Sequence, residues 1–207
     1  MKYIDLTQII DNDTKVYPGD EKFTINKVKS LKEDGYTSYS ISTGMHTGTH
    51  IDIPMHLCEN DKFISSYPID KFIGNGVLIN VLGESVIEMK EEYYRKIKEN
   101  DIVLFYTGFS NKFNDEKYFT DHPVISEELG EFLVRKKIKM LGIDTPSPDK
   151  YPYKIHELML GNNIFLLENL TNLKELIYVE NFQVVAMPLK INAEASLVRA
   201  FAQYQGY

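Results

Sequence analysis

The 207-residue chain carries a formal net charge of −7 and has a pI near 5.3. This acidic balance offers no basic surface for nucleic acid or for an anionic membrane, so we expect neither as a partner. No apolar run approaches the roughly 18 residues of a membrane span. Cys58 is the only cysteine, and the N-terminus lacks the apolar core of a signal peptide, so we expect a cytoplasmic protein.

The first part of the chain predicts an irregular start followed by a hairpin. Residues 5–20 show no clear periodicity, and their last four, Tyr17-Pro18-Gly19-Asp20, predict a turn. Two strand candidates near 22–31 and 36–43 lie close enough in sequence to pair. We find no repeat, low-complexity tract or Pro/Ser-rich linker, so we expect one domain over residues 1–207.

Residues 45–56 read Met-His-Thr-Gly-Thr-His-Ile-Asp-Ile-Pro-Met-His and hold three of the five histidines. Imidazole and carboxylate are donors that zinc and its neighbours prefer, so His46, His50 and Asp52 predict a metal site. The run must bend, because ten extended residues would span about 33 Å. We predict a turn at Gly48 and then an extended arm with His50 and Asp52 on one side. The alternatives are a helix, which the Thr, Gly, Ile and Pro residues disfavour, and an ordinary polar surface strand.

After residue 75 the pattern alternates between strands and helices. The strands are predicted at 76–82, 102–107, 139–143, 164–168 and 182–187, and the helices at 89–100, 126–137, near 155–160 and, as one turn, at 171–176. Ser85 and Glu88 have capping-box spacing before the first helix, and Ser126 is a candidate N-cap of the second. This order predicts an α/β fold with a mixed sheet in a single domain.

Further donors lie downstream. His156 opens a short helical segment, and Glu168 ends the apolar run Ile-Phe-Leu-Leu, where a carboxylate is costly unless paired or metal-bound. Glu157 faces a different side of its helix and is expected to be solvated. His122 is interpreted as a turn residue that hydrogen-bonds locally. The aromatic-rich connection 107–123 predicts either a binding loop or a variable surface loop.

The run from His46 to His56 resembles the metal motif His-x-Gly-Thr-His-x-Asp-x-Pro-x-His of the cyclase family of metal-dependent hydrolases, which includes bacterial kynurenine formamidases. Every fixed position of that motif is present, and shorter family-like segments cover most of the chain. By this resemblance His156 and Glu168 complete the metal site of His46, His50 and Asp52, and His56 is the acid–base residue. The resemblance also implies a swivelling β/β/α fold and a homodimer or homotetramer with its site near a subunit interface.

The function that follows is hydrolysis of an aryl formamide such as N-formylkynurenine to formate and amine by a metal-activated water. We expect one or two divalent ions per chain, zinc first and manganese second, with Asp52 as a bridge. Alternatives are opening of a cyclic amide, imide or lactone, as in an isatin hydrolase, or a non-catalytic metal-binding protein. Retention of His56 argues against the last.

Aromatic residues are candidates for the substrate-binding part of the site. Kynurenine formamidases often have Trp where this chain has Tyr17, and the chain has no Trp. We predict that Tyr17, with Phe109, Phe113 and Phe119, stacks on an aryl substrate. Asp144 and Asp149 are interpreted either as groups that orient ligands or the loop, or as plain turn residues.

Overall fold

Short strands and helices alternate along the chain in the computed structural model, which describes residues 1–206. The elements are β1 Lys2–Asp5, β2 Thr24–Lys29, α1 Leu31–Asp34, β3 Ser38–Ser42, β4 His50–Asp52, β5 Ile73–Asn80, β6 Val86–Ile87, α2 Tyr93–Lys96, β7 Ile102–Tyr106, β8 Val124–Ile125, α3 Glu127–Arg135, β9 Met140–Ile143, α4 Lys154–Gly161, β10 Phe165–Glu168, β11 Phe182–Pro188 and β12 Ala195–Tyr204. Short 3₁₀ turns include Pro54–His56 and Leu173–Leu176.

Seven strands close into a barrel. Their order is β4–β10–β9–β7–β5–β11–β12, and the first part of β12 pairs back to β4. The pairs β5–β7, β7–β9 and β9–β10 are parallel. Every barrel pairing that involves β4, β11 or β12 is antiparallel. Strand β1 lies outside the closure and pairs with the last residues of β12. The predicted mixed α/β architecture is confirmed.

Two apolar cores explain why the parallel strands are hydrophobic on both faces. In β7, Leu104 joins a core of residues from all seven barrel strands, whereas Val103 and Phe105 pack in a second core with residues of α3 and α4. Ala200 and Ala202 of β12 are fully buried in the first core. A seven-stranded barrel is narrow, so small side chains suit its interior.

The helix predicted at 89–100 is wrong. Val86 and Ile87 form β6 and pair in parallel with β8, so Ser85 precedes a strand and caps no helix. Only the single turn α2 follows, with Tyr93 and Ile97 fully buried. These two side chains, one turn apart, gave the sequence its helical periodicity. The pairing of Ile87 with Ile125 in β8 makes the preceding residues a strand instead of a helix cap.

Other local predictions are confirmed. Strands β2 and β3 form the antiparallel hairpin. Ser126 caps α3, because its hydroxyl accepts a hydrogen bond from the Leu129 N–H at 3.3 Å. Among the helices of residues 1–206, none is long and apolar enough to cross a membrane.

Candidate metal centre

Sheet pairing assembles the first half of the site. Gly48 has φ 61° and is followed by β4, which confirms the predicted turn and extended arm. Ile51 points into the barrel core, so His50 and Asp52 share the opposite face of the strand. In the antiparallel register of β4 with β10, His50 lies directly across from Glu168.

The five predicted metal donors meet in one buried cluster. The Nε2 atom of His50 lies 3.4 Å from Glu168 Oε2 and 3.5 Å from Asp52 Oδ1. His156, in the first turn of α4, places its Nε2 atom 3.2 Å from Glu168 Oε1 and 3.9 Å from Asp52 Oδ2. His46 completes the cluster, with its Nδ1 atom 2.9 Å from Asp52 Oδ1. The structure thus brings together donors more than 120 residues apart in sequence.

His56 also reaches the cluster. Its position six residues beyond His50 would not by itself be expected to allow coordination, but the 3₁₀ turn at Pro54–His56 folds it back toward the other donors. Its ring centroid lies 4.2 Å from that of His46 and 6.2 Å from that of His156. Distance therefore leaves His56 free to act either as a ligand or as a proton carrier.

The donor atoms fit a divalent cation. His50 Nε2, Asp52 Oδ1 and Glu168 Oε1 are buried. Their short imidazole–carboxylate contacts lack hydrogen-bond geometry, so none of the three has a hydrogen-bond partner within residues 1–206, an arrangement that is rare unless a ligand completes it. The donors form two groups, each with its atoms within 4.8 Å of one another: His46, Asp52 and His56, and His50, Asp52 and Glu168. Asp52 belongs to both groups, as the predicted bridging role requires.

Hydrogen bonds outside the cluster turn the Nε2 atoms of two histidines inward. His50 Nδ1 lies 2.8 Å from the carbonyl oxygen of Gly48, and His156 Nδ1 lies 2.6 Å from Asp149 Oδ1. A ring that donates from Nδ1 leaves Nε2 unprotonated for a metal. Asp149 also accepts the backbone N–H groups of Ile155 and His156 at 2.6 and 3.1 Å, so it orients His156, a predicted ligand.

Charge separates His56 from the other histidines. Burial disfavours the charged form of His46, but the Asp52 carboxylate outweighs it and raises the pKa of His46 to about 9. Burial likewise opposes protonation of His50 and His156, and carboxylates raise the pKa of both rings. For His56, burial dominates and the neighbouring histidines add to it, so its pKa is lowered. This shift favours the neutral form of His56, the form that can accept a proton.

A cavity of about 270 Å³ opens beside the cluster. Tyr17 and Phe119 line it, with their rings packed edge to face at 5.7 Å. Phe109 and Phe113 pack around the buried Tyr118 and are not among the cavity-lining residues in the described part of the chain. The predicted aromatic wall is thus formed by two of its four members.

Asn169 is a site residue that the sequence reasoning missed. Its side-chain amide donates to the Gly48 carbonyl at 2.9 Å and its oxygen accepts from the Tyr118 hydroxyl at 2.9 Å. The same Gly48 carbonyl contacts His50 Nδ1, so Tyr118 and Asn169 indirectly support His50, a predicted metal donor. An Asn directly after a strand-terminal Glu was the available signal.

Segment 107–123 is anchored at its start. Asp144 accepts the backbone N–H groups of Thr107 and Gly108 at 2.8 and 2.9 Å, which is the loop-orienting role predicted for it.

Two remaining polar residues lie outside the cluster. Glu157 is exposed, which confirms the prediction. His122 is buried, and its Nε2 atom lies 3.0 Å from the Asp149 carbonyl oxygen, 27 residues away. The prediction of a local partner for His122 is therefore wrong, because folding brings the 149 loop onto it.

The closed mixed barrel carries a His/Asp/Glu cluster whose donor atoms fit a divalent metal. Residues 4–150 match the model of the Cyclase family, and the chain belongs to this family. A kynurenine formamidase of Bacillus anthracis is 28% identical over 204 residues, which are 96% of each chain. An uncharacterized protein of Methanocaldococcus jannaschii is 33% identical over 205 residues, 98% of this chain and 99% of the other.

Solved structures show the same fold. Isatin hydrolase A from Ralstonia solanacearum has a TM-score of 0.87 at 24% identity, with 97% of this chain and 91% of that chain covered. Isatin hydrolase A from Labrenzia aggregata, bound to benzyl benzoate, has a TM-score of 0.85 at 25% identity, covering 97% and 93%. The named relatives are hydrolases, and the chain is a hydrolase of the Cyclase family.

Proposed function

We propose that the protein hydrolyses an aryl formamide such as N-formylkynurenine to formate and the free amine. The observation that carries this proposal is one cavity in which an aromatic wall, Tyr17 and Phe119, adjoins the buried donor cluster. An aryl ring packed on that wall would hold an attached amide beside the donors. The similarity to a kynurenine formamidase over 96% of the chain supports the same substrate class.

The proposed ligands are His46, His50, Asp52, His156 and Glu168, with Asp52 shared between two divalent ions when both positions fill. Mixed imidazole and carboxylate donors fit zinc, our first choice, and manganese. A divalent ion held by these residues would lower the pKa of a bound water toward about 7 and would polarise a carbonyl oxygen.

The chain's own residues supply orientation and proton transfer. Asp149 holds His156 through its Nδ1 atom, and the Gly48 carbonyl holds His50 in the same way. His56, whose pKa is lowered by burial and by its histidine neighbours, takes a proton from the attacking water on a ring nitrogen. The same nitrogen then delivers the proton to the leaving amine, which would otherwise depart as a poor anion.

A cyclic amide such as isatin is the second candidate substrate class. The observation in its favour is the 25% identity and TM-score of 0.85 to an isatin hydrolase. Opening a cyclic amide uses the same attack on a carbonyl, and the amine stays attached to the product.

A homodimer or homotetramer stays a prediction. The β2–β3 hairpin exposes the apolar side chains of Val28, Tyr39 and Ile41, which are available for such an interface, and sedimentation would measure the oligomeric state.

The test compares His56→Ala with His50→Ala in metal content and in turnover of N-formylkynurenine, isatin and a simple lactone. If His56 carries the proton, His56→Ala should keep its metal and lose about 10²–10⁴-fold in kcat. His50→Ala should lose metal affinity, because it removes a donor whose Nε2 atom faces the cluster. Equal loss of metal in both variants would make His56 a ligand, and wild-type activity on isatin or the lactone alone would move the substrate to the second class.

A further inference from the structure

Two tyrosine hydroxyls meet in the cavity wall. The hydroxyl oxygens of Tyr17 and Tyr153 lie 3.0 Å apart, and both residues line the cavity. Neither hydroxyl makes another hydrogen bond to residues 1–206. Tyr17 belongs to the turn before the hairpin, and Tyr153 directly precedes α4, so the contact joins segments 136 residues apart.

The backbone is strained to place Tyr153 there. Its φ is 60°, a left-handed conformation that a bulky non-glycine side chain rarely adopts and that costs free energy. This conformation sets the Tyr153 ring 5.8 Å from the ring of His156. The neighbouring Tyr151 is 85% exposed and does not line the cavity, so the arrangement is specific to Tyr153.

The pair of hydroxyls has one hydrogen left to donate. Two phenols carry two O–H hydrogens, and the contact between them uses one. The other remains to donate, since each phenol lacks a further partner among the described residues. The hydrogen bond from Tyr153, with burial next, raises the pKa of Tyr17 to about 12, so Tyr17 keeps its hydrogen at neutral pH. Both tyrosines are half-buried in the cavity wall, so the remaining O–H group can donate to an acceptor on a molecule bound in the cavity.

We propose that the Tyr17–Tyr153 hydroxyl pair donates a hydrogen bond to an acceptor oxygen on the aromatic ring of the substrate, and so selects aryl amides that carry an ortho ketone or similar carbonyl. Tyr153 is then a specificity-determining residue. The inference rests on the proposed aryl-amide function and deepens it.

The test uses a matched pair of substrates on the metal-loaded protein. Formanilide has only the aryl formamide, and 2-acetylformanilide adds an ortho ketone. The wild-type protein should prefer the ketone by about three- to tenfold in kcat/KM, the size of one net hydrogen bond. In Tyr17→Phe and Tyr153→Phe this ratio should fall toward one, and the double variant should lower it no further. Tyr151→Phe, which removes an exposed hydroxyl from the same segment, should keep the wild-type ratio.

Loss of activity through structural damage would lower both substrates equally and leave the ratio intact, and that result in Tyr153→Phe would overturn the proposal. Binding of the product amines, 2-aminoacetophenone and aniline, gives the same comparison without turnover. If neither formanilide is hydrolysed but 2-aminoacetophenone binds more tightly through Tyr153, the formamidase function fails and the hydroxyl pair stands. Equal affinity of the two amines in the wild-type protein would overturn the pair.

Discussion

Replacing Asp149 by asparagine tests how the chain orients His156. The carboxylate uses both oxygens: Oδ1 contacts His156 Nδ1 at 2.6 Å, and Oδ2 accepts the N–H groups of Ile155 and His156. An amide has one acceptor oxygen, so it can serve only one side. If that oxygen keeps the two backbone N–H groups, the NH₂ group faces Nδ1 and favours the tautomer protonated at Nε2. That tautomer cannot bind a metal through Nε2, the nitrogen that faces the cluster.

The expected loss follows from either of two estimates. Removal of a group that orients a metal-binding histidine typically costs 10–100-fold in metal affinity, which corresponds to about 1.4–2.8 kcal/mol. Loss of a hydrogen bond to a charged group is typically about 1.5–3 kcal/mol. The two ranges overlap, so we expect Asp149→Asn to weaken zinc binding by about 10–100-fold.

The assay is competition for zinc against a chromophoric chelator, with circular dichroism to check the fold. Asp61→Asn, a change at an exposed aspartate, is the control and should bind zinc as the wild type does. If Asp149→Asn folds and keeps wild-type zinc affinity, either His156 is no ligand or Asp149 does not orient it.

Two further predictions concern the rest of the cluster. Tyr118→Phe removes the hydroxyl that holds Asn169, so zinc affinity should fall several-fold without loss of fold, and unchanged affinity would show that the Gly48 carbonyl positions His50 alone. The pKa of His46, raised to about 9, means that the metal-free protein holds this proton at pH 7.5, whereas a ligand ring must be neutral. Metal binding should therefore release this proton and tighten with rising pH up to about 9. Calorimetry in buffers of different ionisation enthalpy measures the release, and none would exclude His46 as a ligand.

Local sequence was sufficient for several elements. The Ser126 cap, the β2–β3 hairpin and the turn at Gly48 each depend on residues a few positions apart, and each was predicted. Strand β12 was not predicted at all, because its alanines have low strand propensity and are suited to their positions only by the narrow barrel interior. The helix expected at 89–100 failed because of a contact distant in sequence: the pairing of Ile87 with Ile125 joins residues 38 apart.

The sequence by itself predicted the donor set: His46, His50 and Asp52 lie in one long and specific motif, and the family resemblance adds His156 and Glu168. Only the tertiary structure decided how they meet: β4 and β10 pair in the one register that sets His50 across from Glu168. The tertiary structure also decided which residues surround the cluster. The turn at Pro54–His56 brings His56 back to it, Asn169 holds the Gly48 carbonyl, and Tyr17 contacts Tyr153. Those contacts join residues that are distant in sequence or reoriented by a turn, and their geometry exists only when the barrel closes.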